Sequence, residues 1–248
     1  MSRITVIIPA AGSSTRFGGP EKKPFLTLDG KPIWQRSVEL FCNRVDVSHV
    51  FLVISPDDRD EFRQKFGGKI ALVYCNVSVV DGGAERFESV ANALARVPSD
   101  GELVAVHDAV RPLTSAAHID AVFQAATEHG AAMLAIPVAD TLKRVDPTTN
   151  RITETVPRAG LWQAQTPQVF RQDWLIDAYA RRATFPGTIT DDAQLVEAAG
   201  HAVVVVCGSP LNFKITTKDD FTLAEAVLNP KPIDPPKPTR AFHDEPAW

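Results

Sequence analysis

Cysteine is scarce in this 248-residue chain: Cys42, Cys75 and Cys207 are odd in number, widely spaced and form no C-x-x-C pair. That pattern suggests neither a disulfide framework nor a cysteine zinc site, and free thiols fit a reducing compartment. Long apolar runs are also absent, none approaching the roughly 20 residues that span a bilayer. Met1-Ser2-Arg3 leads straight into an apolar strand, without the basic segment and long apolar stretch of a secretory signal. The expected location is therefore cytoplasmic, with no membrane partner. A basic excess is missing too: the net charge of −4 argues against a nucleic-acid partner. Neither a P-loop nor the glycine-rich dinucleotide fingerprint occurs. What remains is ordinary globular composition, 44% hydrophobic and 23% charged, in a chain long enough to bury a core unaided.

The most informative stretch is at the start. Ile4-Thr5-Val6-Ile7-Ile8 is an apolar, β-branched run that reads as a buried strand. It stops at Pro9 and opens into Ala10, Ala11, Gly12, Ser13 and Ser14, whose small side chains let a ligand approach the backbone N–H groups. Arg16, Lys22 and Lys23 add positive charge to the same loop. Strand, loop and cations together suggest a polyphosphate seat at the carboxyl end of a strand.

Further strands are expected at 50–54, 70–74, 77–80, 103–106, 133–138, 203–206 and 213–215, with a short strand or turn at 25–30. Helices are expected after Pro32, over 57–66 with Gly67-Gly68 as the stop, from Glu85, over 115–129 closed by Gly130, and over 173–183, 191–199 and 218–228. This alternation predicts an α/β fold with a mostly parallel sheet covered by helices on both faces. It breaks between Pro137 and Pro167, where two short strands flank the turn-rich Asp146-Pro147-Thr148-Thr149-Asn150 and predict an inserted β-hairpin arm. Residues 1–228 are thus expected to form one domain carrying an arm at about 137–167. Residues 229–248 hold six prolines and are expected to be a disordered tail.

Asp108 follows four apolar residues and so falls at a strand's carboxyl end, where open α/β sheets bind ligands. A carboxylate beside a polyphosphate calls for an intervening cation, and Mg²⁺ or another divalent ion meets that need. Arg111 could hold a phosphate through its planar fork. Lys214 alternates with Phe213 and Ile215, so it faces away from them, toward solvent or an anion. Thr190 reads as the N-cap of a helix starting Asp191-Asp192, a position that could also receive a phosphate. His107 reads as structural.

Taken in order, Pro9-Ala10-Ala11-Gly12-x3-Arg16, Lys23-x-Phe25-Leu26, Val80-Asp81-Gly82-Gly83-x-Glu85-Arg86-x2-Ser89-Val90, Val106-His107-Asp108-Ala109-x-Arg111-Pro112, Asp140-Thr141-x-Lys143, Arg158-x-Gly160-Leu161-x3-Gln165-Thr166-Pro167-Gln168, Thr190-Asp191-Asp192-Ala193 and Asn212-x-Lys214-Ile215-Thr216 resemble the 2-C-methyl-D-erythritol 4-phosphate cytidylyltransferase family. The resemblance covers about residues 3 to 228. It implies a Rossmann-like domain that joins CTP to methylerythritol phosphate in the non-mevalonate isoprenoid pathway. By position, Arg16, Lys23, Lys214 and Arg158 are then expected to be catalytic. Ala10, Ala11, Gly12, Ser13, Gly83, Ala84, Ser89 and Ala109 would hold CTP, and Asp108 would hold Mg²⁺. Arg111, Thr141, Arg158, Thr190 and Lys214 would hold the polyol phosphate. The resemblance also implies a homodimer in which the arm carries Thr141 and Arg158 into the partner subunit's site.

Two positions depart from the family pattern: Ala84 stands where an Asp is frequent, and Thr15 where a basic residue is common. Other readings of the same blocks are a ribitol 5-phosphate cytidylyltransferase, a hexose 1-phosphate nucleotidyltransferase and a CTP-binding regulator without turnover.

Overall fold

The structure is a computed structural model and describes residues 3–12, 22–99 and 101–230. Its strands are β1 (Ile4–Pro9), β2 (Thr27–Leu28), β3 (Lys31–Pro32), β4 (Val47–Ile54), β5 (Val77–Asp81), β6 (Leu103–Val106), β7 (Ala131–Pro137), β8 (Leu142–Val145), β9 (Ile152–Val156), β10 (Trp162–Arg171) and β11 (Val204–Cys207). The helices are α1 (Ile33–Glu39), α2 (Arg59–Val73), α3 (Arg86–Leu94), α4 (Ala116–His129), α5 (Gln172–Ala180), α6 (Asp192–Ala198) and α7 (Lys218–Leu228).

β1 lacks polar alternation because both of its faces are covered. Val6, Ile7 and Ile8 are all fully buried. It lies between β4 and β6, parallel to both, in a seven-stranded sheet ordered β11-β7-β10-β6-β1-β4-β5. Residues of α1, α2 and α4 (Trp34, Phe62, Phe123) pack on Val6, Ile8 and Leu52 from one face. Residues of α3, α5 and α6 (Val90, Leu175, Leu195) pack on Ile7, Val53 and Val104 from the other. The fold is thus α/β and Rossmann-like, as the alternation predicts. Each aliphatic or aromatic side chain buried this way contributes about 1.5–3 kcal/mol. The arm predicted from the turn-rich loop is the antiparallel pair β8–β9. Asn229 caps α7 and donates its side-chain amide to Asp29 Oδ1 at 3.1 Å, and residues 231–248 of the expected tail lie outside the described residues.

Three expectations are corrected. First, α2 does not end at Gly67-Gly68, and Ile70 to Tyr74 do not form a strand: the helix runs through both glycines to Val73. Phe62, Phe66 and Ile70 recur every four residues and make one stripe. Phe62 and Phe66 meet Trp34 with ring centroids 5.1 and 5.3 Å apart. Burying that stripe outweighs the roughly 0.5–1 kcal/mol that each glycine costs a helix. Second, Phe213–Ile215 joins no ladder among the described residues; Ile215 N–H simply donates to the Val110 carbonyl at 2.9 Å. Third, the end of the supposed arm is β10, a long strand inserted antiparallel between β6 and β7. Its polar Gln165-Thr166-Pro167-Gln168 stretch hides the pattern, and the register slips between Ala164 and Gln168. The peptide bond between Thr166 and Pro167 is cis.

At Gly68 an added Cβ would meet no atom within 4 Å, and its φ lies outside the left-handed region. Gly68→Ala should therefore stabilise the protein by about 0.5–1 kcal/mol. Calorimetry should show Tm rising by roughly 1–4 °C. A lowered Tm would mean that the helix breaks at the glycine pair.

Candidate active site

Because β5, β4, β1 and β6 run parallel, their carboxyl ends share one edge of the sheet. β10 runs the other way, so its amino end reaches that same edge. A cleft opens there, lined by Ala10, Ala11, Gly12, Lys23, Gly83, Ala84, Ser89, Asp108 and Lys214, all of them singled out from the sequence.

One wall is backbone. Ala10 N–H donates to the Val53 carbonyl at 2.7 Å, which fixes the start of the loop leaving β1. The loop leaving β5 presses against it: a Cβ on Gly82 would sit 2.6 Å from Ala11 Cβ and 2.8 Å from Ser89 Oγ. Only glycine permits that approach. Gly83 N–H then donates to Ser89 Oγ at 3.1 Å, tying the loop to α3. Ala84 is exposed at the rim, where its methyl offers no polar contact.

The other wall is charged and centres on Asp108, 6% exposed. Three cations surround it: Lys214 Nζ at 3.0 Å, Arg86 Nε at 3.1 Å and Arg111 Nε at 3.5 Å. Burial pushes its carboxyl up. Arg86, Lys214 and Arg111 overcome that and hold it well below the usual carboxylate range. Arg86 continues to Asp192, which is fully buried at the start of α6, at 2.8 Å. Tyr179, its hydroxyl kept protonated by burial and by the neighbouring carboxylate, donates to Asp192 Oδ1.

A relay fixes the backbone beneath. Asp108 N–H donates to Thr166 Oγ1 at 3.0 Å, and Thr166 Oγ1 lies 3.1 Å from His107 Nδ1. His107 Nε2 lies 3.1 Å from the Arg111 carbonyl, which can only accept. The imidazole therefore carries its proton on Nε2 and accepts from Thr166. Burial lowers its pKa to about 4, so it stays neutral near pH 7. His107 is structural, as expected, and it serves the site from below. Asn212 closes the other side, donating to the Thr166 carbonyl at 2.9 Å two residues before Lys214.

Ser13, Thr15 and Arg16 lie outside the described residues. Lys22 pairs with Asp58 at 2.8 Å. Ala109 is buried beneath the cleft, its carbonyl accepting from Ser37 Oγ at 2.7 Å. Arg111 also donates to the Asn212 carbonyl at 2.6 Å. Thr190 is exposed, and the N-cap of α6 is Asp191 instead, whose carboxylate accepts from Gln194 N–H at 3.0 Å. A full charge at the helix start favours the aspartate. Thr141 and Arg158 are exposed on or beside the arm and line no part of this cleft. Sequence reasoning misses the roles of Arg86, Asp192, Thr166 and Asn212. Asp192 gives no cue of its own, because an acid in a helix's first turn is ordinary and its cation comes from α3.

The edge of this Rossmann-like sheet thus joins a small-residue loop to two lysines and a buried carboxylate. The model of the family described as 2-C-methyl-D-erythritol 4-phosphate cytidylyltransferase matches residues 4–230. A Rhodopirellula baltica protein of that name is 44% identical over 237 residues, covering 91% of this chain and 95% of the relative. One from Symbiobacterium thermophilum is 45% identical over 228 residues, covering 91% and 92%. The crystal structure of the Thermus thermophilus enzyme superposes with a TM-score of 0.73 at 34% identity, covering 92% of this chain and 98% of that one. The chain belongs to the 2-C-methyl-D-erythritol 4-phosphate cytidylyltransferase family.

Arg86 bridges two carboxylates of which one is fully buried. Arg86→Met leaves Asp192 without its cation and should destabilise the protein by on the order of 3 kcal/mol. Denaturant unfolding reads this as a lowered midpoint. A wild-type midpoint would remove Arg86 from the support of the site.

Proposed function

We infer that the protein transfers CMP from CTP to 2-C-methyl-D-erythritol 4-phosphate, giving 4-diphosphocytidyl-2-C-methyl-D-erythritol and pyrophosphate. The observation that carries this reading is the meeting of Lys23, Asp108 and Lys214 with the small-residue loop and Gly83–Ser89 in one cleft, in a chain of this family. An oxygen of the substrate phosphate attacks the α-phosphorus of CTP. The bond from that phosphorus to the bridging oxygen of the leaving pyrophosphate breaks. The attacking oxygen is anionic near neutral pH, so no general base is needed. The task is to bring two polyanions together and stabilise the crowded transition state, which positioned cations do. Lys23, 8% exposed in the cleft wall, and Lys214 at its mouth are suited to that, with Arg16 as a third.

Asp108 is suited to Mg²⁺. It is held ionised, it lines the cleft, and a hard oxygen donor matches this ion. Among the described residues no cluster of three or more His, Cys, Asp or Glu could hold a metal. Phosphate oxygens and water would thus complete its shell. Bound there, Mg²⁺ would neutralise charge between carboxylate and phosphates. Lys214 and Arg111 would then share Asp108 with it.

The site is also proposed to be completed by a second copy. Thr141 and Arg158 lie away from the cleft of their own chain, while the arm and its base expose Val145, Ile152, Leu161 and Trp162, each at least 39% accessible. A two-stranded pair with apolar residues in water is poorly supported alone. A homodimer joined through the arm would cover these side chains and bring Thr141 and Arg158 to the partner's cleft. The expected cytoplasmic location belongs to the same proposal. No helix among the described residues is long and apolar enough to cross a membrane.

The test is pyrophosphate release from CTP and Mg²⁺ with methylerythritol 4-phosphate or ribitol 5-phosphate. Release with the first alone is expected; preference for the second moves the substrate, and CTP binding with neither reaction supports a regulator. Lys214→Ala or Lys23→Ala should lower the rate by roughly 10²–10³-fold, the loss of one positioned transition-state contact. Lys23→Arg should also be poor, since a planar fork does not replace a point charge. Mixing inactive Lys23→Ala and Arg158→Ala subunits should restore activity, because one site of each mixed dimer is wild type. No recovery after subunit exchange would place Arg158 in its own chain's site or outside the reaction.

A further inference from the structure

Gln168 is 1% exposed and has no role in the scheme above. Its backbone is held in the middle of the sheet, opposite Val106 on one side and Met133 on the other. Its side chain spends all of its bonding on the start of α6. Oε1 accepts from Asp192 N–H at 3.1 Å and from Ala193 N–H at 2.9 Å. Nε2 donates to Asp191 Oδ2 at 3.0 Å. One side chain from a central strand thus satisfies two backbone donors that a helix cannot satisfy itself, and fixes the capping carboxylate as well. A seven-residue helix has little intrinsic stability, so these bonds locate it.

From α6 the connection runs to Thr190. Gln194 N–H is held by Asp191 Oδ1 at 3.0 Å. Gln194 Oε1 accepts from Thr190 N–H at 2.9 Å and from the Thr190 hydroxyl at 3.2 Å. Thr190 is otherwise exposed, so its position depends on this chain of bonds. The Arg86 side of α6 is secured separately, because the Asp192 carboxylate is also held by the Tyr179 hydroxyl. Loss of Gln168 therefore falls on Thr190 more than on Asp108.

We propose that Gln168 is a positioning residue for the polyol-phosphate end of the site, acting through α6 and Gln194 on the Thr190 hydroxyl. This rests on the reading that Thr190 contacts that substrate. Steady-state kinetics on the full chain test it. Gln168→Met should raise KM for methylerythritol phosphate about ten-fold, as expected when buried hydrogen bonds holding a contact are lost. KM for CTP should stay at the wild-type value. Thr190→Val should raise the same KM, and the double variant should be no worse than the poorer single, since both act on one contact. If Thr190→Val raises KM and Gln168→Met does not, the positioning role is overturned while the reading of Thr190 stands. If Thr190→Val has no effect, that reading fails and this inference with it. A parallel rise in both KM values would reduce Gln168 to a general structural residue and also overturn the proposal. Should Gln168→Met not fold, Gln168→Glu carries the test. It keeps oxygens for Asp192 and Ala193 N–H, sets a repelling carboxylate against Asp191 where an amide donated, and should still raise KM for the polyol phosphate alone.

Discussion

A buried carboxylate must be neutralised or it will take up a proton, and the cleft is arranged around that constraint at Asp108. Its three cations come from three places: Arg86 from α3, Arg111 from the loop after β6, and Lys214 from the segment after β11. Segments more than a hundred residues apart are joined by one charge. Removing any cation exposes the cost that the others leave uncovered. The second buried carboxylate, Asp192, repeats the arrangement one step further out through Arg86. Electrostatics here does what the hydrophobic core cannot, since the sheet sets the strands but leaves their connecting loops free.

The cleft consequently has two unlike walls. Around Ala10–Gly12 and Gly82–Gly83 the side chains are small and the backbones approach closely. Around Lys23 and Lys214 the surface is cationic. The first wall lets a ligand lie against the backbone, and the second suits condensed phosphates. The chemistry inferred for the family member requires both, because cytidylyl transfer demands little covalent help from the protein and a great deal of charge control.

Much of this is legible in the sequence because each feature has a local cause. Strands buried on both faces read as unbroken apolar runs, as at 4–8 and 103–106. Ser115 and Gly130 bracket α4 by cap and left-handed turn, and the structure has both. Asp108 and Lys214 are recognisable as charges at a strand end or on the polar face of an extended segment. Features with distant causes are not legible. The glycine pair in α2 is overridden by aromatic contacts with Trp34, about thirty residues earlier. β10 is polar where it binds the site loops, so it reads as a loop itself. Phe213–Ile215 has a strand's alternation without a neighbour to pair with. Arg86 sits in a recognisable motif, yet its two partners, Asp108 and Asp192, are 22 and 106 positions away. Thr190 precedes two acids and so reads as the cap, whereas the cap depends on the backbone angles of Asp191.

The place of β10 has a consequence for biosynthesis. Among the described residues it is the strand that joins β6 to β7, so β7 has no partner in the sheet until β10 has left the ribosome. Until then the apolar edge of β6 has no neighbour, a state in which nascent chains are prone to stick to one another. The same strand brings Thr166 to the Asp108 backbone and Gln168 to α6. A chain that stops before Lys214 therefore cannot carry a finished active centre, because β11 still has to join β7 and a cation that meets Asp108 comes after it.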